Sequence, residues 1–281
     1  FPTRRSSDLL IPPTYIARSM TSLAGVWRIA NFVGPLAGAG LVAIWGLSST
    51  YWFGGACVVA AMLALLVAGG AQHERRTYVP PDHVPMRRIV HEHAHTLRTL
   101  GVAVVATGAL RQARIAVIPL WAAHVGLSHE AALVLFAIAA AADMLLFYPA
   151  GATMDRRGRL WTAIPSSILL GLGFLALPLS EGAVGVTAAA VLLGIGNGWG
   201  SGLIMTLGAD VAPIAGRSVF TGIWMILQDV GGLAGPALIS LGALIALPVG
   251  IVAVGGIGLA TAGAFAAWVP RTPPWTAHHV S

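Results

Sequence analysis

The sequence contains no lysine, one cysteine and few charges of either sign. Only 9% of its 281 residues are charged. A soluble domain carries about 25%, so this chain could not cover its surface with polar groups. The single Cys57 excludes an intramolecular disulfide and any cysteine-cluster metal site. No Walker A phosphate loop occurs, which excludes an ATP motor within the chain. Residues 41–71, 160–180, 182–209 and 230–270 contain no Asp, Glu, Lys or Arg. Apolar runs of about 18 residues or more are candidates for membrane helices. The chain is therefore read as an all-α polytopic membrane protein with the lipid bilayer as its first partner.

Eight spans are expected, at about 21–46, 51–70, 99–123, 131–150, 160–180, 184–207, 218–242 and 245–269. Barrel strands also cross membranes, but they alternate apolar with polar residues, and these runs do not. The connections at 47–50, 124–130, 181–183 and 243–244 hold no arginine. Those at 71–98, 151–159 and 208–217, and the tail 270–281, hold Arg75, Arg76, Arg87, Arg88, Arg98, Arg156, Arg157, Arg159, Arg217 and Arg271. Basic connections stay on the cytoplasmic side, which puts both ends of the chain there. The net charge of +6 is thus an orientation signal and implies no nucleic-acid partner. Residues 71–98, with Pro80, Pro81 and Pro85, read as a flexible cytoplasmic linker. His91, His93 and His95 fall in it; their alternate spacing does not place three ligands on one helix face, so no metal site is expected.

Residues 1–9, Phe-Pro-Thr-Arg-Arg-Ser-Ser-Asp-Leu, resemble a translated sequencing adapter, and the first methionine is Met20. They are set aside from the fold, and the chain is read as a fragment. The stretch Gly25-Val-Trp27-Arg-Ile29-Ala-Asn31-Phe-Val33-Gly34-Pro-Leu36-Ala37-Gly38 aligns without a gap with Gly222-Ile-Trp224-Met-Ile226-Leu-Gln228-Asp-Val230-Gly231-Gly-Leu233-Ala234-Gly235. Eight of the fourteen positions are identical, at an offset of 197 residues. The copies lie in the first and seventh spans. Six-helix repeats characterise one large transporter class. Residues 10–70 then form the last two helices of a first bundle, 71–98 the linker and 99–269 a second bundle of six. Four helices are expected to precede the chain.

At this point the sequence resembles the major facilitator superfamily. The loop Gly151-Ala-Thr-Met-Asp155-Arg156-Arg-Gly158-Arg159 is similar to that family's G-x-x-x-D-R-x-G-R loop, in its second-bundle copy. Gly25 and Gly34-Pro35-x-x-Gly38 resemble its glycine-proline antiporter motif, with Ala39 where the pattern has a second glycine. The resemblance implies a twelve-helix, two-bundle fold with helices 5 to 12 visible. It implies transport of a small molecule by alternating access, of the proton-coupled drug or metabolite efflux type. It implies no enzyme activity and no cofactor, the proton gradient being the driving force, and a monomer when complete. The all-arginine basic set, with abundant Ala and Gly, reads as high-GC bacterial coding, hence a bacterial cytoplasmic membrane. Asp155 is expected to accept from N–H groups at a neighbouring helix N-terminus, with Arg156 and Arg159 at the cytoplasmic surface, as a gating latch. Gly34 with Gly38, and Gly231 with Gly235, lie four apart and permit close packing, while Pro35 and Pro236 can bend their helices.

Ionisable groups inside a span are costly and face a cavity or a partner. Arg111 and Asp229 each fall roughly 16 Å from a span end, near mid-depth, and Asp143 about 12 Å from its cytoplasmic end. Arg114 and Gln112 neighbour Arg111; Gln228 neighbours Asp229; Arg28 and Asn31 lie in the first span. Two readings of Asp229 and Asp143 stay open. In one, each takes up and releases a proton during transport. In the other, each is held ionised by Arg111 or Arg114. The arginines are also candidates for an anionic substrate. By resemblance, Asn197, Trp199 and Trp224 are further candidates for the substrate cavity, against ordinary helix packing. Two other functions remain. An intramembrane serine protease needs Ser and His on facing helices, and no His lies inside a span, although Ser201 does. A transporter-like sensor or scaffold without transport is the remaining alternative.

Overall fold

The computed structural model describes residues 13–69, 84–213 and 215–269, with side chains before Val26 and those of Trp27, Arg28 and Asn31 outside the description. The adapter-like residues 1–9, residues 71–83 of the expected linker and the tail therefore lie outside the described residues. The chain forms two units, Phe1–Pro81 and Asp82–Ser281.

The first unit is a helical hairpin of α1 (Pro13–Trp45) and α2 (Ser48–Gly69). Gly46, at φ +76°, turns the chain, and the Ser49 hydroxyl donates to the carbonyls of Leu41 and Gly46 at 3.1 and 2.6 Å. Within its unit α2 is exposed on every face; Trp52 is 82% accessible. A helix apolar all round requires lipid or other helices about it.

The second unit begins with two short helices, α3 (Met86–Glu92) and α4 (Ala94–Arg98), followed by α5 (Leu100–His124), α6 (His129–Arg157), α7 (Leu160–Ala176), α8 (Gly182–Trp199), α9 (Leu203–Val211), α10 (Arg217–Ala243) and α11 (Leu247–Trp268). Among the described residues, seven helices are long and apolar enough to cross a membrane. The eighth expected span, 21–46, corresponds to the shorter apolar stretch Phe32–Trp45 of α1.

Three local features differ from expectation. The segment 84–98 is folded onto the second unit: Ile89 is buried in the inner core beside Phe220, and the His93 ring meets Phe220 edge-on at 5.6 Å. On its outer side Arg88 donates to Glu92 at 2.7 Å, a bond that holds the Glu92 carboxyl below its ordinary range. The helix predicted to stop at 150 runs to Arg157, so the presumed loop Gly151–Arg157 is its last two turns. The span predicted at 184–207 is broken into α8 and α9 at Gly200–Gly202, where Gly202 takes φ +75°. A left-handed residue ends a helix, and only glycine adopts it without strain.

Lipid supplies no hydrophobic drive between helices, so packing rests on close backbone approach. Glycines provide it at three seams. Cβ atoms on Gly231 and Gly235 of α10 would overlap the carbonyl oxygens of Val105 and Ala109 on α5. Gly194 and Gly198 of α8 sit equally close to the backbone of Ala139 and Asp143 on α6. A Cβ on Gly171 of α7 would stand only 3.0 Å from the Gly255 carbonyl oxygen of α11. Two apolar cores result. One gathers Leu110, Val117, Trp121, Phe174, Leu193 and Ile251; the other, towards the arginine-bearing end, gathers Leu100, Val104, Met154, Leu203, Phe220, Trp224 and Phe265.

Candidate functional site

Between the two cores lies a polar layer. α5, α6 and α7 change character there, from Val104 to Leu110, from Ala139 to Met154 and from Ala163 to Leu170, and so does the chain between Leu193 of α8 and Leu203 of α9. The residues in those intervals include Asp143, Ser166, Ser167, Asn197 and Gly200, and Arg111 and Arg114 lie beside them on α5, next to Leu110 and Ala113 of the first core. Asp143 is the central residue of the 29-residue α6, about 21 Å from either end. It is deeper than its predicted position because the helix continues past residue 150.

Arg114 Nη2 lies 3.8 Å from Asp143 Oδ2, and both side chains are buried. Asn197 donates to the same carboxylate oxygen at 2.8 Å. The Arg114 guanidinium also stands 5.9 Å over the Phe136 ring. This set joins α5, α6 and α8. Of the two sequence-predicted partners, Arg114 meets Asp143, while Arg111 donates to the Gly200 carbonyl.

Arg111, one turn earlier, points to the helix break instead. Its Nη2 donates to the Gly200 carbonyl. The same carbonyl also accepts from the Leu203 N–H at 3.2 Å across the turn at Gly202, so it serves both the chain reversal and the guanidinium. The Ser166 hydroxyl donates to the Gly196 carbonyl one turn below, at 2.7 Å. Arg111, Ser166 and Gly200 thus meet at one point: a Cβ on Gly200 would overlap Ser166 Oγ and stand 3.2 Å from Arg111 Nη2.

The remaining candidates are distributed elsewhere. Trp224 is 1% exposed, donates to the Ile204 carbonyl at 2.8 Å and stacks on Phe220 at 5.8 Å. It is a core residue, correcting its cavity assignment; the edge left open by Gly208 receives its indole. Trp199 donates to the Trp161 carbonyl at 3.1 Å and joins α8 to the start of α7, which is also packing. Gln112 is exposed beside Gly232, and Gln228 is half-buried. Asp229 is exposed, about 18 Å into α10, and among the described residues none of the ion pairs involves it. Gly34 has open space around it within its unit, unlike its repeat counterpart Gly231. Pro35, Gly38 and Pro236 are half-buried, and α1 and α10 continue through their prolines. Arg28, Asn31 and Gly25 lie outside the residues whose side chains are described.

At the arginine-bearing end the expected latch is rearranged. Gly151 has open space around it, and Gly158, at φ +95°, ends α6. Asp155 is 78% exposed in its side chain, and Arg159 lies 3.5 Å from it. Arg159 does not stay at the surface: its side chain is 14% exposed and lies on Asp210, at the end of α9, at 2.9 and 3.5 Å. It also donates to the Met154 carbonyl at 3.1 Å. Arg156 is exposed. Arg157 covers the Trp161 ring at 5.5 Å. The tie therefore joins α6, α7 and α9, with Asp210 as its anion. Replacing Arg159 by Gln removes charge-assisted bonds worth about 2 kcal/mol. Thermal unfolding in detergent is expected to shift downward clearly for Arg159→Gln and within about 0.5 kcal/mol for exposed Arg156→Gln. Equal losses at both positions would contradict the assignment.

Sequence reasoning missed Asp210, Ser166 and the Gly200 carbonyl. Asp210 was visible as a lone carboxylate ending a span. A backbone acceptor at a turn between two helices carries no residue signal beyond the Gly-Ser-Gly run 200–202.

Comparison with known families places these features in context. The model of the family described as Major Facilitator Superfamily matches residues 8–236 and, in a second alignment, residues 100–280. The second alignment starts where α5 starts. No curated protein matches the chain.

Proposed function

Because the chain belongs to the major facilitator superfamily, whose members are membrane transporters and not enzymes, we propose that it exports a small molecule by alternating access, driven by proton entry. A multi-pass chain of this family transports some substrate across a membrane. The finer reading assigns the proton to Asp229. The observation that supports it is the contrast between the two carboxylates at mid-span. Asp143 is held by Arg114 and Asn197, whereas Asp229 stands on a face of α10 that its own unit leaves uncovered, with Ile226 and Leu233 on either side. A carboxylate flanked by apolar residues at membrane depth is costly unless it cycles through a neutral form or faces water. Arg159, Asp155 and Asp210 supply the gate in this reading: a salt-bridge tie of that kind forms in one transporter state and opens in the other. The twelve-helix architecture, a cytoplasmic membrane with both chain ends inside, and a monomeric state belong to the same proposal. Two alignments of one family model, the second starting at α5, support its two-bundle part.

The test is efflux from proteoliposomes containing the full gene product, loaded with carboxyfluorescein or ethidium. Acidifying the outside is expected to accelerate release of at least one dye. Asp229→Asn is expected to reduce the pH-driven component about tenfold or more while leaving the protein folded. Release that ignores the pH gradient, or an Asn variant that keeps it, overturns the coupling assignment.

A further inference from the structure

The segment 84–98 carries Arg87, Arg88 and Arg98, three histidines and one carboxylate, Glu92. Ile89 anchors it to the bundle, buried in the core that also holds Met154 and Phe220. Gly216, at φ +73°, leaves the room for this anchor: a Cβ there would stand 2.7 Å from Ile89 Cδ1. With Ile89 turned to the bundle, the helical angle of about 100° per residue sets the other faces of α3. Met86 and Val90 fall roughly a quarter-turn away on one flank, and they are 54% and 40% exposed. Arg87 and His91 fall opposite Ile89, and both are exposed. Arg88 and Glu92 fall on the other flank, joined at 2.7 Å. A surface hollow of about 400 Å³ is lined by Pro85, Arg87, Arg88, His91 and Glu92. The helix thus shows an apolar flank beside a basic face, and its rotation is fixed.

Two observations put this helix at headgroup level. α3 ends at Glu92, and the apolar span Ala94–His124, made of α4 and α5, starts directly after it. At the same end of the bundle the exposed Trp161 ring lies under the Arg157 guanidinium, at 5.5 Å, and tryptophan gathers at membrane–water interfaces. We propose that α3 is a docking surface for an anionic phospholipid of the bilayer, with the phosphodiester on Arg87 and His91 and the upper acyl carbons against Met86 and Val90. Basic side chains next to a span attract anionic headgroups, and an apolar flank beside them enters the acyl boundary. A zwitterionic lipid offers the same phosphate, but its own cation opposes the arginines. A soluble acidic partner would meet the charges and leave Met86 and Val90 in water. The surface is independent of the transported substrate and of proton coupling.

The test is titration of the full gene product, in uncharged detergent, with phosphatidylglycerol and with phosphatidylcholine of the same acyl chains, read by native mass spectrometry. Phosphatidylglycerol is expected to bind about fivefold or more tightly than phosphatidylcholine. Arg87→Gln with His91→Gln is expected to weaken phosphatidylglycerol about fivefold or more. Met86→Ser with Val90→Ser is expected to weaken it by a similar factor, about fivefold, through lost acyl contact. All four side chains are exposed, so both double variants are expected to stay folded and monodisperse. Arg156→Gln changes an exposed arginine of α6 at the same end and is expected to stay within about twofold of wild type. Equal affinity for the two lipids, or an equal loss in Arg156→Gln and the Arg87–His91 variant, overturns the site. Excess inorganic phosphate at constant ionic strength is expected to leave the lipid bound. Displacement by phosphate, or unchanged binding in the Met86–Val90 variant, shows a bare anion site and overturns the lipid assignment.

Discussion

Gly231→Leu is expected to separate α5 from α10 and to cost about 3 kcal/mol or more, the upper range for overpacking a close contact. The reason is geometric. The Val105 carbonyl oxygen already occupies the place of a Cβ on Gly231, and it belongs to helix backbone, which cannot swing aside as a flexible side-chain tip can. Gly235 faces Ala109 in the same way one turn later, so the seam has no slack to absorb the shift. Gly222, on the same helix, has open space around it and serves as the internal control. Gly222→Ala is expected to be neutral or to stabilise by up to about 1 kcal/mol through helix propensity. Thermal unfolding in detergent, followed by loss of the monodisperse peak in gel filtration, reads both. Should Gly231→Leu unfold within a degree or two of Gly222→Ala, the seam is not a determinant of stability.

Asp143→Ala is expected to cost about 3–5 kcal/mol, because it leaves the Arg114 guanidinium buried without its carboxylate. Asn197 loses its acceptor in the same step. The pair's net worth is a different quantity from the cost of breaking it. Replacing both charges by apolar residues of similar volume, Arg114→Met with Asp143→Leu, is expected to recover most of the loss, since the desolvation of both ions disappears together. The comparison separates an ion pair from a merely tight fit: a tight fit would make the double variant worse than Asp143→Ala. It also bears on transport, because an obligatory proton carrier at Asp143 would leave the stable double variant inactive in pH-driven efflux, whereas a structural pair would leave some activity.

The membrane helices were legible because hydropathy is a local property. A segment without charges satisfies its own backbone only as a helix in lipid, whatever its neighbours do. Glycine pairs four apart were legible for the same reason, and the pair in α10 meets a neighbouring backbone while Gly34 meets open space within its unit. Pairings across helices were less legible. One residue rotates a side chain by about 100° around its helix, so a boundary known only to several residues does not tell which arginine meets which carboxylate. Arg111 and Arg114 were equal candidates for Asp143 on that footing. The three-residue difference turns one towards α6 and the other towards the break between α8 and α9.

By itself, the sequence determined that this chain lives in a membrane, that its basic residues gather in alternate connections, and that charge lies inside the spans of α5, α6 and α10. These follow from composition along single segments. The tertiary structure alone decided that Arg159 leaves the surface for Asp210, that Trp224 fills the space over Gly208, and that Arg111 rests on the Gly200 carbonyl at the turn between α8 and α9. Each depends on the rotation, depth and continuity of two or more helices at once, which backbone-close glycine packing sets and local hydropathy does not.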